Sequence, residues 1–107
     1  MGVSSQASRP LAARTRRAAG QFGDHLRTFR KLQGLTAEQV AERANISRNS
    51  LRQIETGGTG VSFGNVLEVC RVLGVLDFVL DGMNPYETAL GQALARKNLE
   101  LPKRVRQ

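Results

Sequence analysis

Residues 35–57 constrain the fold of this chain more than any other segment, because they predict two short helices joined by a tight turn. Thr36 is a suitable N-cap for the first of these helices, and the side chain of Gln39 can complete a capping box three residues later. The apolar residues that follow recur at a helical spacing. They are Val40, Ala41 and Ala44. A short helix with one inward face is therefore predicted to begin just after Thr36.

A second helix follows the break at Asn45, a residue that tolerates left-handed backbone angles. Ser47 can cap this helix, and its inward positions are Ser50, Leu51 and Ile54. Polar side chains at the start of the helix then remain on the outside, where a helix that enters the major groove presents side chains to base edges. The predicted base-reading residues are Arg48, Asn49, Arg52 and Gln53.

Residues 22–82 resemble the helix-turn-helix domain of the phage-repressor-like (Cro/C1, or XRE) transcriptional regulators. The resemblance rests on short segments that occur in the family's order and spacing: Gly34-Leu35-Thr36, Glu38 to Ala41, Ile46-Ser47, Ile54-Glu55-Thr56-Gly57 and Leu73-Gly74-Val75. It implies an all-α fold, a five-helix repressor-like bundle that contains the helix-turn-helix. Two positions depart from the family pattern. Ala37 stands where the family usually has a Gln that touches the backbone phosphates, and Asn45 stands where Gly is usual.

The same resemblance implies an ion pair between Arg30 and Glu55. Arg30 belongs to a helix that precedes the motif, and Glu55 ends the second helix of the motif, which is the recognition helix of the family. The alternative is that both are independent solvated charges. Contacts to the DNA backbone are expected from the helix starts and the glycine-rich loop, as in the family, and from basic N-terminal residues, because of their charge. The predicted backbone-contacting residues are Thr36, Ser47, Thr56, Gly58, Thr59, Arg14, Arg16 and Arg17. For Gly58 and Gly60, a flexible turn without any contact is the alternative.

Three further helices are predicted around this pair. A first helix spans roughly residues 20–32 and ends at Gly34, a fourth runs from its cap Ser62 to Leu73 and ends at Gly74, and a short fifth follows. Apolar residues recur at helical spacing in two of these helices: Phe22, Leu26, Phe29 and Leu32 in the first, and Val66, Val69, Cys70 and Leu73 in the fourth. The fifth helix is expected to complete the core with Phe78, Val79 and Leu80.

The net charge of +7 is unevenly distributed. Residues 1–19 contain only basic charges, residues 20–82 contain equal numbers of basic and acidic side chains, and residues 83–107 are again basic. Three regions are therefore predicted: a basic flexible arm (1–19), the helix-turn-helix DNA-binding domain (20–82) and an amphipathic helical extension with a basic end (83–107). Basic tails can follow a phosphate backbone on either side of a docked domain, or they can simply keep a protein soluble.

The predicted extension begins with Asn84 as a cap and Pro85 at the first helical position. A helix of about 13 residues is expected there, and such a helix is marginal when isolated. Its apolar face must pack on its own core, on a second copy or on another protein. The residues of that face are Tyr86, Leu90, Ala93 and Leu94.

No enzyme signature occurs in the sequence. His25 is the only histidine, Cys70 is the only cysteine, and no metal-ligand cluster or phosphate-binding loop accompanies them. The place of Cys70 among apolar residues favours a buried thiol over a reactive or metal-binding one. Neither a membrane-spanning run nor the apolar core of a signal peptide is present. A cytoplasmic protein without cofactor or metal is therefore expected.

Two classes of function remain. The favoured one is a sequence-specific DNA-binding transcriptional regulator, expected to be a repressor that reads the major groove of a double-stranded operator with the helix at about residues 47–55. It is expected to be a homodimer on a near-palindromic site. The alternative is an antitoxin, which binds a protein toxin and represses its own operon. The extension after the fifth helix resembles antitoxin-type members of the family, including those paired with HipA-like kinase toxins.

Overall fold

The computed structural model describes residues 10–98, and the regular secondary structure within that range is entirely helical. The all-α class is therefore confirmed. The chain divides into two compact units, with the division between Gly74 and Val75. In chain order the helices are α1 (Ala13–Leu32), α2 (Ala37–Ala44), α3 (Arg48–Glu55), α4 (Phe63–Leu73), α5 (Leu76–Met83), a 3-10 helix (Pro85–Glu87) and α6 (Ala89–Lys97).

The predicted caps of the central helices are confirmed. The Gln39 N–H donates to the Thr36 hydroxyl at 3.0 Å, and the Thr36 N–H donates to the Gln39 side-chain oxygen at 2.9 Å, which completes the capping box. The Ser47 and Ser62 hydroxyls accept backbone N–H groups at the starts of α3 and α4. Asn45 takes the left-handed conformation, with φ of 59°, and turns the chain between α2 and α3. These local interactions define where each short helix begins and ends.

The core of the first unit is made of small and branched apolar side chains contributed by α1 to α4. Leu51, Val40, Val69 and Cys70 are fully buried, and burial raises the pKa of the Cys70 thiol. The buried position predicted for Cys70 is confirmed. The other buried apolar side chains of this unit are Leu26, Ala41, Ala44, Ile54 and Leu73.

The apolar stripe predicted on α1 is only partly correct. Leu26 is buried, but Leu32 is 78% exposed. At this end of α1 the neighbouring Gln33 turns back toward α4 instead, and its side-chain amide donates to the Leu73 carbonyl at 2.8 Å. The end of α1 therefore contacts α4 through the polar side chain of Gln33, which satisfies a carbonyl at the end of α4, whereas the sequence pattern predicted an apolar contact by Leu32.

The predicted start of the first helix was wrong, because α1 begins at Ala13 and not near residue 20. Residues 13–19 consist mainly of alanine and arginine, which are strong helix formers, so the helix continues through the region expected to be a flexible arm. Gly20 does not interrupt it. Residues 1–9 of the predicted arm lie outside the described residues.

The second unit differs from the predicted single helix of about 13 residues. Asn84 does act as a cap, since the Tyr86 N–H donates to its side chain at 3.0 Å, but only the 3-10 turn Pro85–Glu87 follows. Thr88 interrupts the helix because its hydroxyl accepts the Gly91 N–H at 3.0 Å and caps α6 as a separate helix. None of the described helices is long and apolar enough to cross a membrane.

Candidate nucleic-acid interface

Helix α3 presents four polar side chains to solvent. Leu51 is fully buried and Ile54 nearly so, and these two residues determine which face of α3 turns toward the core. The opposite face is consequently exposed from the first turn onward. It carries the residues predicted to read bases, namely Arg48, Asn49, Arg52 and Gln53, all of which are exposed. Guanidinium and amide groups on one helical face can donate to and accept from the edges of base pairs.

Arg30 and Glu55 form the ion pair that the resemblance implied. The Arg30 Nε donates to Glu55 Oε2 at 2.8 Å, and Nη2 donates to Oε1 at 3.0 Å, so the pair is bidentate. Their side chains are only 11% and 7% exposed. The hydrogen bond to Glu55 raises the pKa of Arg30, and burial opposes that rise. The third contact, from Nη1 to the Leu35 carbonyl at 3.1 Å, ties the same guanidinium to the segment that leads into α2.

Glycines let α1 approach the end of α3 very closely. A Cβ added at Gly23 would collide with the Ile54 carbonyl oxygen, and one added at Gly57 would lie 2.7 Å from the Gly20 Cα. Gly57 also has a positive φ of 88°, which side chains rarely adopt. Sequence reasoning missed this contact. The available signal was the Gly20-x-x-Gly23 spacing, which places two glycines on one face of a helix where they would otherwise be destabilising.

The start of the glycine-rich loop closes α3. The Gly58 N–H donates to the Gln53 carbonyl at 2.7 Å, and the Gly57 N–H donates to the Ile54 carbonyl at 3.2 Å, as in a Schellman motif. The Thr56 hydroxyl likewise donates to the Arg52 carbonyl at 2.8 Å. The predicted backbone-contacting residues Gly58 and Thr56 thus use these donors within the protein, whereas Thr59 is exposed in the loop that follows.

The hydroxyls at the helix starts are also engaged, because they serve as caps. Ser47 accepts the Ser50 N–H at 2.9 Å and donates to the Ser50 hydroxyl, also at 2.9 Å. Thr36 accepts the Gln39 N–H, which leaves its own hydroxyl hydrogen available to donate outward. Thr36 and Ser47 are both exposed at the surface.

The basic residues predicted to contact the DNA backbone belong to α1. Arg14, Arg16 and Arg17 are all exposed on its first turns. Because the Gly57 backbone packs against Gly20, the part of α1 before Gly20 extends beyond the C-terminal end of α3 by roughly 10 Å. The three cations are therefore carried on a helix that is anchored at the C-terminal end of α3.

An open cleft lies between α1, the start of α2 and the exposed face of α3. Its volume is about 530 Å³. Its lining includes Arg27 from α1, Ala37 from the start of α2, and Arg48, Asn49, Arg52 and Thr56 from α3 and its C-terminal cap. Sequence reasoning missed Arg27, although it stands three residues before Arg30 and hence on the same side of α1.

Within residues 10–98 no group of three or more His, Cys, Asp or Glu side chains could hold a metal ion. His25 is exposed on α1, and Cys70 is buried in the core.

A model of a family described as a helix-turn-helix domain matches residues 21–80, which is more than half of the 107 residues. The matched segment begins within α1, includes the pair α2 and α3, and ends within α5. Comparison with curated proteins and with solved structures finds no match.

Proposed function

The chain belongs to the helix-turn-helix domain family, and we propose on that basis that it is a sequence-specific DNA-binding transcriptional regulator, a repressor of the Cro/C1 (XRE) type. The observation that carries this proposal is the exposed polar face of α3. The guanidinium of Arg48 or Arg52 can donate to both acceptors on the major-groove edge of guanine. The side-chain amide of Asn49 or Gln53 can donate to the acceptor and accept from the donor on the corresponding edge of adenine. The operator sequence follows from which of these side chains reaches which base.

The scaffold supports such a role because it holds α3 in position. The bidentate pair between Arg30 and Glu55 and the close contact at Gly23 both join α1 to the last turn of α3. A recognition helix must present its side chains in a constant register, since a small displacement separates donors from their base edges. The anchoring of α3 at its C-terminal end leaves its N-terminal face open for the groove.

Contacts to the sugar-phosphate backbone supply affinity that does not depend on sequence. Arg14, Arg16 and Arg17 are suited to this role because they project from a helix that extends beyond α3. Thr36 adds a hydroxyl donor at the start of α2. Such a regulator acts on DNA in the cytoplasm and needs neither a metal nor a cofactor.

We place the partner-binding surface in the second unit. No residue of α5, the 3-10 helix or α6 is buried, yet several large apolar side chains lie on these elements. They are Leu80, Met83, Tyr86, Leu90 and Leu94, each at least 49% exposed. Exposed apolar groups of this density favour a partner. A second copy of the chain would place two recognition helices on half-sites about one helical turn (10 bp) apart.

The same observation supports the second candidate function. If the apolar side chains of the second unit bind a protein toxin instead of a second copy, the chain is an antitoxin that represses its own operon. Both functions use the same DNA-binding face, so they differ only in what covers the second unit.

The test is to select bound fragments from a random DNA pool with the purified chain and to measure its oligomeric state by light scattering. A repressor of the proposed kind enriches a near-palindromic motif and scatters light as a dimer. Fragments that show no enriched motif would overturn the proposal. Copurification with the product of a neighbouring gene, together with a monomeric free chain, would favour the antitoxin.

A further inference from the structure

We propose that the open cleft between α1, the start of α2 and α3 binds one phosphate group of the DNA backbone, and that Arg27 is the residue that neutralises it. This inference rests on the proposed function, because it extends the DNA-binding face from α3 onto α1. Neither the sequence pattern nor the family match assigns a role to Arg27.

The cleft is strongly cationic. Arg27, Arg48 and Arg52 line it, and within residues 10–98 no acidic side chain pairs with any of the three. The one carboxylate in the lining belongs to Glu55, and each of its two oxygens already accepts a hydrogen bond from Arg30. An anion that enters the cleft therefore meets three uncompensated guanidinium groups and no available carboxylate.

The start of α2 leaves room for such an anion. Ala37, the first residue of α2, lines the cleft with a methyl group that can neither donate a hydrogen bond nor fill the space. The opposite wall of the same cleft, formed by α1, supplies a cation instead.

Arg27 is placed to contact the backbone and not the bases. It projects from α1, which packs against the last turn of α3 through Gly23 and Arg30, and not from the helix that is proposed to enter the groove. Arg48 and Arg52 project from α3 itself and are used for base edges in the proposed function. The three arginines of the cleft thus divide between bases and phosphate according to the helix that carries them.

The first experiment measures duplex binding by fluorescence anisotropy over a series of salt concentrations. With Arg27→Ala, the slope of log affinity against log salt should decrease in magnitude by about 0.9, the value for one phosphate contact. Arg27→Lys should retain the slope, since it keeps the charge. The matched control is Arg43→Ala, which removes an exposed charge from α2 outside the cleft and should leave the slope unchanged.

The second experiment tests whether the phosphate belongs to DNA. Single phosphates of the selected operator are replaced by neutral methylphosphonates, one position at a time. At one position in each half-site the replacement should weaken binding of the parent protein but have no further effect on Arg27→Ala. A free anion is tested with inorganic phosphate, by following the Arg27 Nε–H signal in nuclear magnetic resonance. Saturation of that signal at submillimolar phosphate would assign the cleft to a free anion and overturn the proposal.

The outcomes separate this inference from the proposed function. If the parent protein binds DNA and Arg27→Ala has the same slope, the cleft proposal fails and the DNA-binding function remains. If the parent protein has no affinity for duplex DNA, both fail. Circular dichroism of Arg27→Ala checks that the helices are retained, and Arg27→Gln provides a second neutral variant with a longer side chain.

Discussion

The two units of this chain stabilise their helices in different ways. In the first unit, α1 to α4 bury a continuous set of apolar side chains and share a shielded ion pair. In the second unit, α5, the 3-10 helix and α6 bury no residue, and their large apolar side chains remain exposed. Short helices without a buried face are marginal in water. The first unit therefore holds α3 through side-chain packing and an ion pair, while the second unit leaves large apolar side chains exposed to solvent.

The largest effect is expected from breaking the ion pair of the first unit. Glu55→Ala strands the Arg30 guanidinium, which is 11% exposed, and should lower the free energy of unfolding by about 3 kcal/mol or more in urea titrations. The double variant with Arg30→Met should recover part of this loss. The matched control is Glu68→Ala, whose pair with Arg71 is about half exposed and should cost less than about 0.5 kcal/mol. Equal losses in the two single variants would mean that the shielding of the Arg30–Glu55 pair is unimportant.

The next largest effect is expected from changing the apolar surface of the second unit. The double substitution Tyr86→Ser and Leu90→Ser changes exposed side chains, so it should leave the unfolding of the first unit unchanged. If this surface forms the dimer, light scattering should show a monomer, and operator affinity should fall by roughly 100-fold as the two half-sites uncouple. A variant that stays dimeric and instead no longer copurifies with a cellular protein would assign the surface to a toxin. A variant with neither change would remove the second unit as a partner surface.

A smaller effect is expected from the base-reading side chains. Arg48→Ala and Gln53→Ala should each weaken operator binding by about 1–3 kcal/mol while leaving binding to random DNA nearly intact, because they address base edges. Competition assays with operator and random duplexes measure both quantities. Equal losses on the two kinds of DNA would show that these residues contact phosphates and that α3 sits in another register.

The smallest effect concerns the basic first turns of α1. Arg17→Ala should preserve the helix, since alanine is the best helix former, and should reduce the salt dependence of DNA binding by a slope of about 0.9 if Arg17 contacts a phosphate. Lys31→Ala, at the other end of the same helix, is the control of equal charge. An unchanged slope for Arg17→Ala would leave the start of α1 outside the DNA-binding face and confine that face to α3 and the cleft.

Interactions that span three or four residues could be predicted from the sequence. The capping box of Thr36 and Gln39, the left-handed Asn45 and the caps Ser47 and Ser62 all have donors and acceptors within one turn of each other. The predicted single helix of the C-terminal extension was wrong because two capping residues stand close together there. Asn84 and Thr88 are both good caps, and the second one ended the helix that the first one began.

The start of α1 could not be predicted from the same rules. Gly20 and the charge of residues 1–19 indicated an arm, but the helix formers between residues 13 and 19 continue the helix, and the Gly57 backbone packs against Gly20. Whether a glycine interrupts a helix or allows close packing depends on what lies beside it. That neighbour is 37 residues away in this chain.

The sequence by itself determined the positions of the short helices α2 and α3 and the polar face that α3 exposes, because apolar spacing and caps act within each helix. The Arg30–Glu55 pair was expected only through resemblance to a family, since nothing local links residues 25 positions apart. Tertiary structure alone decided the close approach at Gly23, the helical placement of the N-terminal arginines relative to α3, and the cleft at Arg27. Each of these depends on the distance between helices, which is set by how side chains from different parts of the chain pack together.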